Sequence, residues 1–445
     1  MPSFIPHLLF PIVPIVFGAL QIASSAGATP TDVPAPSETG IVAFKESIGP
    51  DGVRKFQDRL ENLNRDIIKR GILPFPGSTE KLLTGYAYHE FYDWDLYFEN
   101  IYLSYYGISD YCFSNFKAFM AIQSPDGFIP RMLKRRNRQM FKPFLAQIAV
   151  LGSQQKGGDY EWLRAGYYDQ LGMYIDRWFG YDHDGNGLPV WDSSDASGMD
   201  NQTSRAGEIG EGFCEGVDLA CYLHRELCCM AAIARKLGKE EDEMAFRGRA
   251  EKLKASINRV FWNDAEGFYY DRNERTGKPI KVQSVAAFIP LWAGVASPGQ
   301  AKRLIEEHLT NEKKFWLKYP VAGYAATEPD FYQGCREGEC NWRGTTWVPT
   351  NYMIFHGLLR YGFKEIARDL AWRTYRMAMD ENPVTREYYD SDTGKGNGMN
   401  PFWGWSALAY VMPLEWETGY NPMSEETKPS PMISTGLGIV WPGHL

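Results

Sequence analysis

The chain has 445 residues, with 55 acidic side chains against 47 basic ones and a formal net charge of −8. That balance argues against a nucleic-acid binder, which presents a basic face. Hydrophobic residues make up 44%, enough for a sizeable core, and the length fits either a few ordinary domains or one large toroid or barrel.

Residues 1–28 contain no Asp, Glu, Lys or Arg, residues 8–23 are almost continuously apolar, and Ala26-Gly27-Ala28 has the small-residue pattern of a cleavage site. The segment reads as a signal peptide removed near Thr29, which predicts a secreted or secretory-pathway protein with no membrane attachment after removal. An apolar run of about sixteen residues is short for a membrane span. Residues 29–41 are Pro-rich and read as an extended linker, and 42–445 read as one folded domain. Helical periodicity predicts helices over 53–70, 219–237, 245–262, 301–309, 350–361 and 364–379. Strand-like text is scarce, the best candidate being a hairpin edge over 267–271. Long loops carry the Gly, Trp and Asp residues while short ones are plain turns. That asymmetry suits a ring of about twelve helices with a functional rim at one end.

The seven cysteines are an odd number. Cys335 and Cys340 flank a short polar loop and can close a small disulfide in an oxidising compartment. Cys221, Cys228 and Cys229 lie on a predicted helix and read as packing residues. No Cys/His spacing suggests zinc.

Four stretches carry chemistry. Within 88–100, Trp94 and Asp95 pair an indole that can stack on a sugar ring with a carboxylate that can accept two hydroxyls. Within 181–201, Asp182, Asp184, Asn186 and Gly187 imitate the opening of an EF-hand loop. The twelfth position is Ser193 instead of a bidentate Glu, so the stretch reads as a tight turn and no metal is expected. Asp192, Asp195 and Asp200 follow. Asn201-Gln202-Thr203 is the chain's one glycosylation sequon. A glycan there would obstruct a cleft at Asp200, so Asn201 is expected to be unmodified. Within 341–352, Trp342 and Trp347 can wall a sugar site, Arg343 can hold a hydroxyl or carboxylate, and Pro349 suits a first helical turn. Within 386–405, Glu387 precedes Gly394, Gly396 and Gly398, which permit a sharp loop, and then Trp403 and Trp405. The basic run 131–142 reads either as a solvated loop or as a lid that attracts an anionic substrate.

Two carboxyls among aromatic rings are what cleavage of a sugar acetal needs. One protonates the leaving oxygen and the other activates water. Asp200 is expected to be protonated through burial or a nearby negative charge, and Glu387 to stay ionised. Water-sized room between them, about 6.5–9.5 Å, would mark inversion. The rival readings are a polysaccharide lyase working through a Tyr or His base, and a non-catalytic sugar-binding protein.

The motifs WRGTTWVPTNY, SGMDN, and EYYDSDTG followed by FWGWS resemble those of glycoside hydrolase family 63 and of the related trehalase family, in the family's order, over roughly residues 86–420. The chain looks most similar to the short mannosylglycerate and glucosylglycerate hydrolases, which lack a large N-terminal β-domain. The resemblance implies an all-α (α/α)6 toroid with long loops at one rim and an inverting mechanism without a cofactor. It implies Asp200 as general acid, Glu387 as general base, and Tyr88, Trp94, Asp95, Gln147, Trp342, Arg343 and Trp347 around the sugar. The family commonly has Pro after Trp-Arg-Gly, where Thr345 stands here. The expected partner is a small α-glycoside with an acidic aglycone, such as a glucosyl- or mannosyl-glycerate, ahead of trehalose or another neutral α-glucoside.

Overall fold

Two kinds of helix alternate along the chain, and their burial separates them. A computed structural model describes residues 38–75, 79–85, 90–135, 138–205, 210–336, 338–424, 430–434, 437–439 and 441–442. The expected signal peptide, linker residues 29–37 and Tyr88 lie outside the described residues. In chain order the helices are α1 (Glu38–Asp66), α2 (Asp95–Ser104), α3 (Asp110–Met120), α4 (Leu145–Gln155), α5 (Tyr167–Phe179), the single turn α6 (Ser194–Ser197), α7 (Val217–Lys236), α8 (Glu240–Val260), α9 (Ile289–Ala293), α10 (Pro298–Arg303), α11 (Val348–Arg360), α12 (Lys364–Met379) and α13 (Leu408–Thr418).

Every residue of α2 is buried, and so is α4 from Leu145 to Ser153. A helix apolar or buried on all sides belongs inside a larger helical assembly. By contrast α8 buries only Ala250, Leu253, Ser256 and Ile257, and it opens on Glu240, Glu241, Asp242 and Glu243, which complement the positive end of its dipole. The contacts follow this division. The helices α2, α4, α7, α9, α11 and α13 each touch the next, and α13 returns to α2, closing an inner ring. Around it α1 lies against α13, α3 against α4, α5 and α8 against α7, and α12 against α11 and α13. In chain order α10, continued by π-helical turns over Leu304–Leu309, takes the remaining outer place. The fold is an (α/α)6 toroid.

Loop lengths now acquire a direction. Connections from an inner to the next outer helix are short: 105–109, 156–166, 237–239, 294–297 and 361–363. Connections from an outer to the next inner helix are long: 67–94, 121–144, 180–216, 261–288, 310–347 and 380–407. All the long loops therefore gather at the rim where the inner helices begin. Three short strands tie two of them together: Tyr388–Asp390 pairs antiparallel with both Gly396–Asn397 and Thr345–Thr346, with Tyr389 opposite Thr346. The expected hairpin edge is present as Phe268–Tyr269 against Trp262–Asn263.

Helix α1 differs from expectation. It opens at Glu38, inside the stretch read as extended linker, and it runs through a kink at Gly49-Pro50, where Gly49 has φ 68°. Gly and Pro read locally as breaks, but Ile41 and Phe44 are buried and hold the first half onto the ring. No described helix is long and apolar enough to cross a membrane.

Candidate active site

Asp200 sits in the long loop before α7. The turn α6 is capped at its start by Ser193, whose Oγ accepts the Ala196 N–H at 3.1 Å, and it ends at Gly198. Gly198 has φ 77°, and a Cβ there would lie 2.9 Å from both Lys142 Cε and Trp94 Cζ2. Only glycine lets the chain turn so tightly over those side chains. Met199 then points into the core and Asp200 emerges partly exposed, its Oδ1 buried without a hydrogen-bond partner. Burial pushes the Asp200 carboxyl above the usual range, helped by Asp195 and opposed by Arg131, Lys142 and the Cys340 thiol. Of the other acids in this loop, Asp195 is exposed, while burial raises Asp192 to about 6.

Glu387 enters from the long loop before α13. Its Oε2 accepts the Met399 N–H at 2.8 Å, and the Cys340 thiol donates to its Oε1 at 3.6 Å. The Gly-rich loop closes over this carboxylate: a Cβ on Gly398, which has φ 71°, would stand 2.4 Å from Oε2. Burial raises the Glu387 carboxyl, the Met399 N–H opposes that, and the charge of Asp200 adds to it. The Cys340 thiol is within hydrogen-bonding reach of both Glu387 and Asp200, and burial together with these two carboxyls pushes it far up. The two acids, 187 positions apart in the sequence, therefore face each other across one sulfur. Cys335 and Cys340 are both free thiols here, not the disulfide that their spacing allows.

The aromatic wall is real, but it is built differently from expectation. Trp342 and Trp347 stack with centroids 3.8 Å apart and planes 8° from parallel, and Trp347 stacks again on Tyr388 at 4.6 Å. Trp94 tilts against Trp342 at 5.9 Å. With both faces covered, Trp347 has none to lay on a sugar. Its Nε1 donates to the Asn341 carbonyl at 2.8 Å and to Thr345 Oγ1 at 3.0 Å. Thr345, where the family pattern has Pro, thus supplies a hydroxyl that fixes the stack.

Arg343 also works inside the protein. Its Nε donates to the Asn201 carbonyl at 2.7 Å. Asn201 returns the link: its Oδ1 accepts the Trp342 N–H at 2.8 Å, and its Nδ2 donates to Tyr332 Oη at 2.8 Å and to Glu339 at 3.3 Å. An amide so engaged is unavailable to a glycan. Mass analysis of protein expressed in a glycosylating host is expected to find Asn201 bare, and a glycan there would show that this network does not form.

Gln147, expected beside the sugar, is engaged within the protein. It is fully buried on α4, its Oε1 accepts Arg225 Nε at 2.8 Å, and its Nε2 donates to the Pro143 carbonyl at 2.9 Å. Those bonds tie its amide to Arg225 and to the start of α4. Asp95 lies at the start of α2, buried, where its charge raises the Glu99 carboxyl one turn on, after the larger effect of burial.

The basic run is neither simply solvated nor simply a lid. Lys134, Arg135 and Arg138 are exposed, but its two ends turn inward. Lys142 is fully buried, with Nζ 3.0 Å from both oxygens of Asp93 and 5.0 Å from the Trp94 ring centroid. Arg131 donates to the Asp195 carbonyl and lies 5.6 Å from the Tyr92 ring. Burial opposes its charge, but Asp93, Asp200 and Asp95 together raise its pKa. The signal that could have found both cations is apolar company: Ile129-Pro130 precedes Arg131, and Met140-Phe141 precedes Lys142.

At the DHDGNG turn the missing EF-hand carboxylate has a spatial substitute. Glu274, from another loop, brings one oxygen within 4.8 Å of those of Asp182 and Asp184. These groups can bind a cation, but His183 already pairs with Glu274 at 2.9 Å and Arg272 with Asp184 at 3.0 Å.

Comparison with known proteins agrees with this fold. The chain is 33% identical over 184 residues to a mannosylglycerate hydrolase of Thermus thermophilus, covering 41% of this chain and 40% of that one. It is 31% identical over 149 residues to the cytosolic neutral trehalase of Kluyveromyces lactis, covering 33% and 19%. The aligned stretches thus span two fifths or less of these curated relatives. Among solved structures, a family 63 mannosylglycerate hydrolase of Thermus thermophilus, in complex with Tris and D-glycerate, shares the fold with a TM-score of 0.67 at 20% identity, over 79% of this chain and 99% of that one. The family model described as "Mannosylglycerate hydrolase MGH1-like glycoside hydrolase domain" matches residues 88–406, well over half of the chain, and the protein belongs to that family.

Proposed function

We propose that the protein hydrolyses a small α-glycoside whose aglycone carries a carboxylate, a mannosyl- or glucosyl-glycerate first of all, with inversion at the anomeric carbon. The observation that carries this reading is the pair of carboxyls facing one thiol, with Glu387 held at both oxygens and Asp200 left with an unpartnered Oδ1. Donors to a carboxylate favour its ionised form and burial favours the protonated one, so the fuller set of donors on Glu387 biases the charge toward Glu387 and the proton toward Asp200. In the proposed reaction Asp200 gives its proton to the glycosidic oxygen as that bond breaks. Glu387 takes a proton from the water that attacks the opposite face of the sugar. The products leave with Asp200 ionised and Glu387 protonated, and solvent exchange restores the starting state. Arg131, poised beside Asp200, is the cation best situated for an acidic aglycone, and the D-glycerate held by the Thermus thermophilus relative fits that choice.

A second reading, hydrolysis of trehalose, is favoured by the likeness to the neutral trehalase. Purified protein incubated with mannosylglycerate, glucosylglycerate and trehalose, with NMR of the first-formed anomer, separates the two. Release of glycerate with the β-sugar appearing first is expected. Turnover of trehalose alone would replace the substrate assignment, first appearance of the α-sugar would overturn inversion, and an unsaturated product formed without water would point to a lyase.

A further inference from the structure

We infer that Cys340 is a positioning residue that decides which of the two carboxyls holds the proton, by donating its S–H to Glu387; this rests on the acid and base roles proposed above. The site must solve a problem of symmetry. Two carboxyls in a partly buried space resist double ionisation, so one proton stays with the pair and can reside on either. The cations around the acid make the difficulty worse: Arg131 and Lys142 both stabilise ionised Asp200, against Asp195. Left alone they would draw the charge to Asp200 and the proton to Glu387, the reverse of what the reaction needs.

The donors around Glu387 counter this. The backbone N–H of Met399 holds Oε2 at 2.8 Å, and the thiol of Cys340 faces Oε1 at 3.6 Å. A thiol has a single proton to give. It lies within reach of Asp200 as well and favours ionisation there too, but its hydrogen bond runs to Glu387 Oε1, and Asp200 Oδ1 remains without a partner. The thiol is held in place by its surroundings: Tyr388 stacks on Trp347 and donates to the carbonyl of the preceding residue, Glu339, at 2.8 Å. Cys335, the other titratable group beside Tyr388, donates to that same carbonyl at 3.3 Å. Burial and the two facing carboxyls keep Cys340 protonated across the working range, so it remains a donor whenever Glu387 is charged.

The test is the pH profile of kcat/KM for Cys340→Ala and Cys340→Ser beside the parent protein. Removing the donor raises the pKa of Glu387, so the acid limb of the Ala variant moves to higher pH by about half a unit or more, since a bond to a charged acceptor is involved. The Ser variant, which keeps a donor, places its limb between the two. A merely structural role would lower thermal stability and leave the limb where it was. An unmoved acid limb in Cys340→Ala, or equal displacement in Ala and Ser, overturns the inference. Glu387→Gln, run in parallel, distinguishes the failure of the underlying roles: if that variant keeps parental turnover, Glu387 is not the base and the acid and base roles fall. A dead Glu387→Gln with an unmoved Cys340→Ala limb removes only the role of the thiol.

Discussion

Asp200→Asn is expected to lower kcat on a natural glycoside by about 10²–10⁴-fold, the range typical of a general acid or base, while the fold and sugar binding persist. The loss should depend on the leaving group. A glycosyl fluoride departs without protonation, so the Asp200 variant should retain much of its activity on that substrate. Glu387→Gln should lose activity on both, because water must be activated in either case. Steady-state kinetics on the two substrates make a two-by-two comparison. Equal losses in all four combinations would mean that the carboxyls do not divide the labour as proposed. The pH profile carries the same information. Activity rises as Glu387 loses its proton and falls as Asp200 loses its own. Both carboxyls are raised by burial, so both limbs should lie above the ordinary values for Glu and Asp.

Lys142→Met should destabilise the protein by about 3–5 kcal/mol, the effect of breaking a buried ion pair and stranding one charge. Neither Lys142 nor Asp93 has any side-chain exposure, and Asp93 also accepts the backbone N–H of Trp94 at 2.8 Å and of Lys142 at 3.1 Å. Without Lys142, Asp93 retains only the more distant charge of Arg131 and its backbone donors, which favours uptake of a proton or entry of water beneath Trp94. The double change Asp93→Asn with Lys142→Met removes both charges and should recover a substantial part of the loss. Denaturant midpoints at fixed pH for the four proteins of this cycle give the coupling. A single-variant loss below about 1 kcal/mol, the range of exposed pairs, would show that the pair is solvated.

The ring was partly legible in the sequence, because outer helices such as α12 have one apolar face and a period to read. The inner helices α7 and α11 were legible too, but α2 was not: with Asp95 to Ser104 buried on every side, the stretch mixes acids and aromatics without a polar face, so periodicity says little. The two acids were legible as motif residues, and so was the use of glycine near Glu387. Cys340 was legible only as a disulfide candidate, and Arg131 only as part of a basic run with apolar neighbours, since their contacts arise from residues far away in the chain. For Trp347 and Gln147 the residue type was legible and the neighbours were not. Residue type announces what a side chain can do, but not whether a neighbour such as Tyr388 or Arg225 has already claimed it.

Asn201 is the chain neighbour of Asp200, and its four hydrogen bonds run to Trp342, Arg343, Tyr332 and Glu339. Those partners sit on the loop that also bears Cys340, whose sulfur touches Glu387. Asn201 therefore ties the loop of Asp200 to the loop whose Cys340 touches Glu387, and under the roles proposed above it acts as a spacer between the proton donor and the water-activating group. In glycoside cleavage that gap separates direct displacement from a covalent detour. Under the proposed chemistry, a residue that takes no part in the bond changes thus helps to hold the two that do.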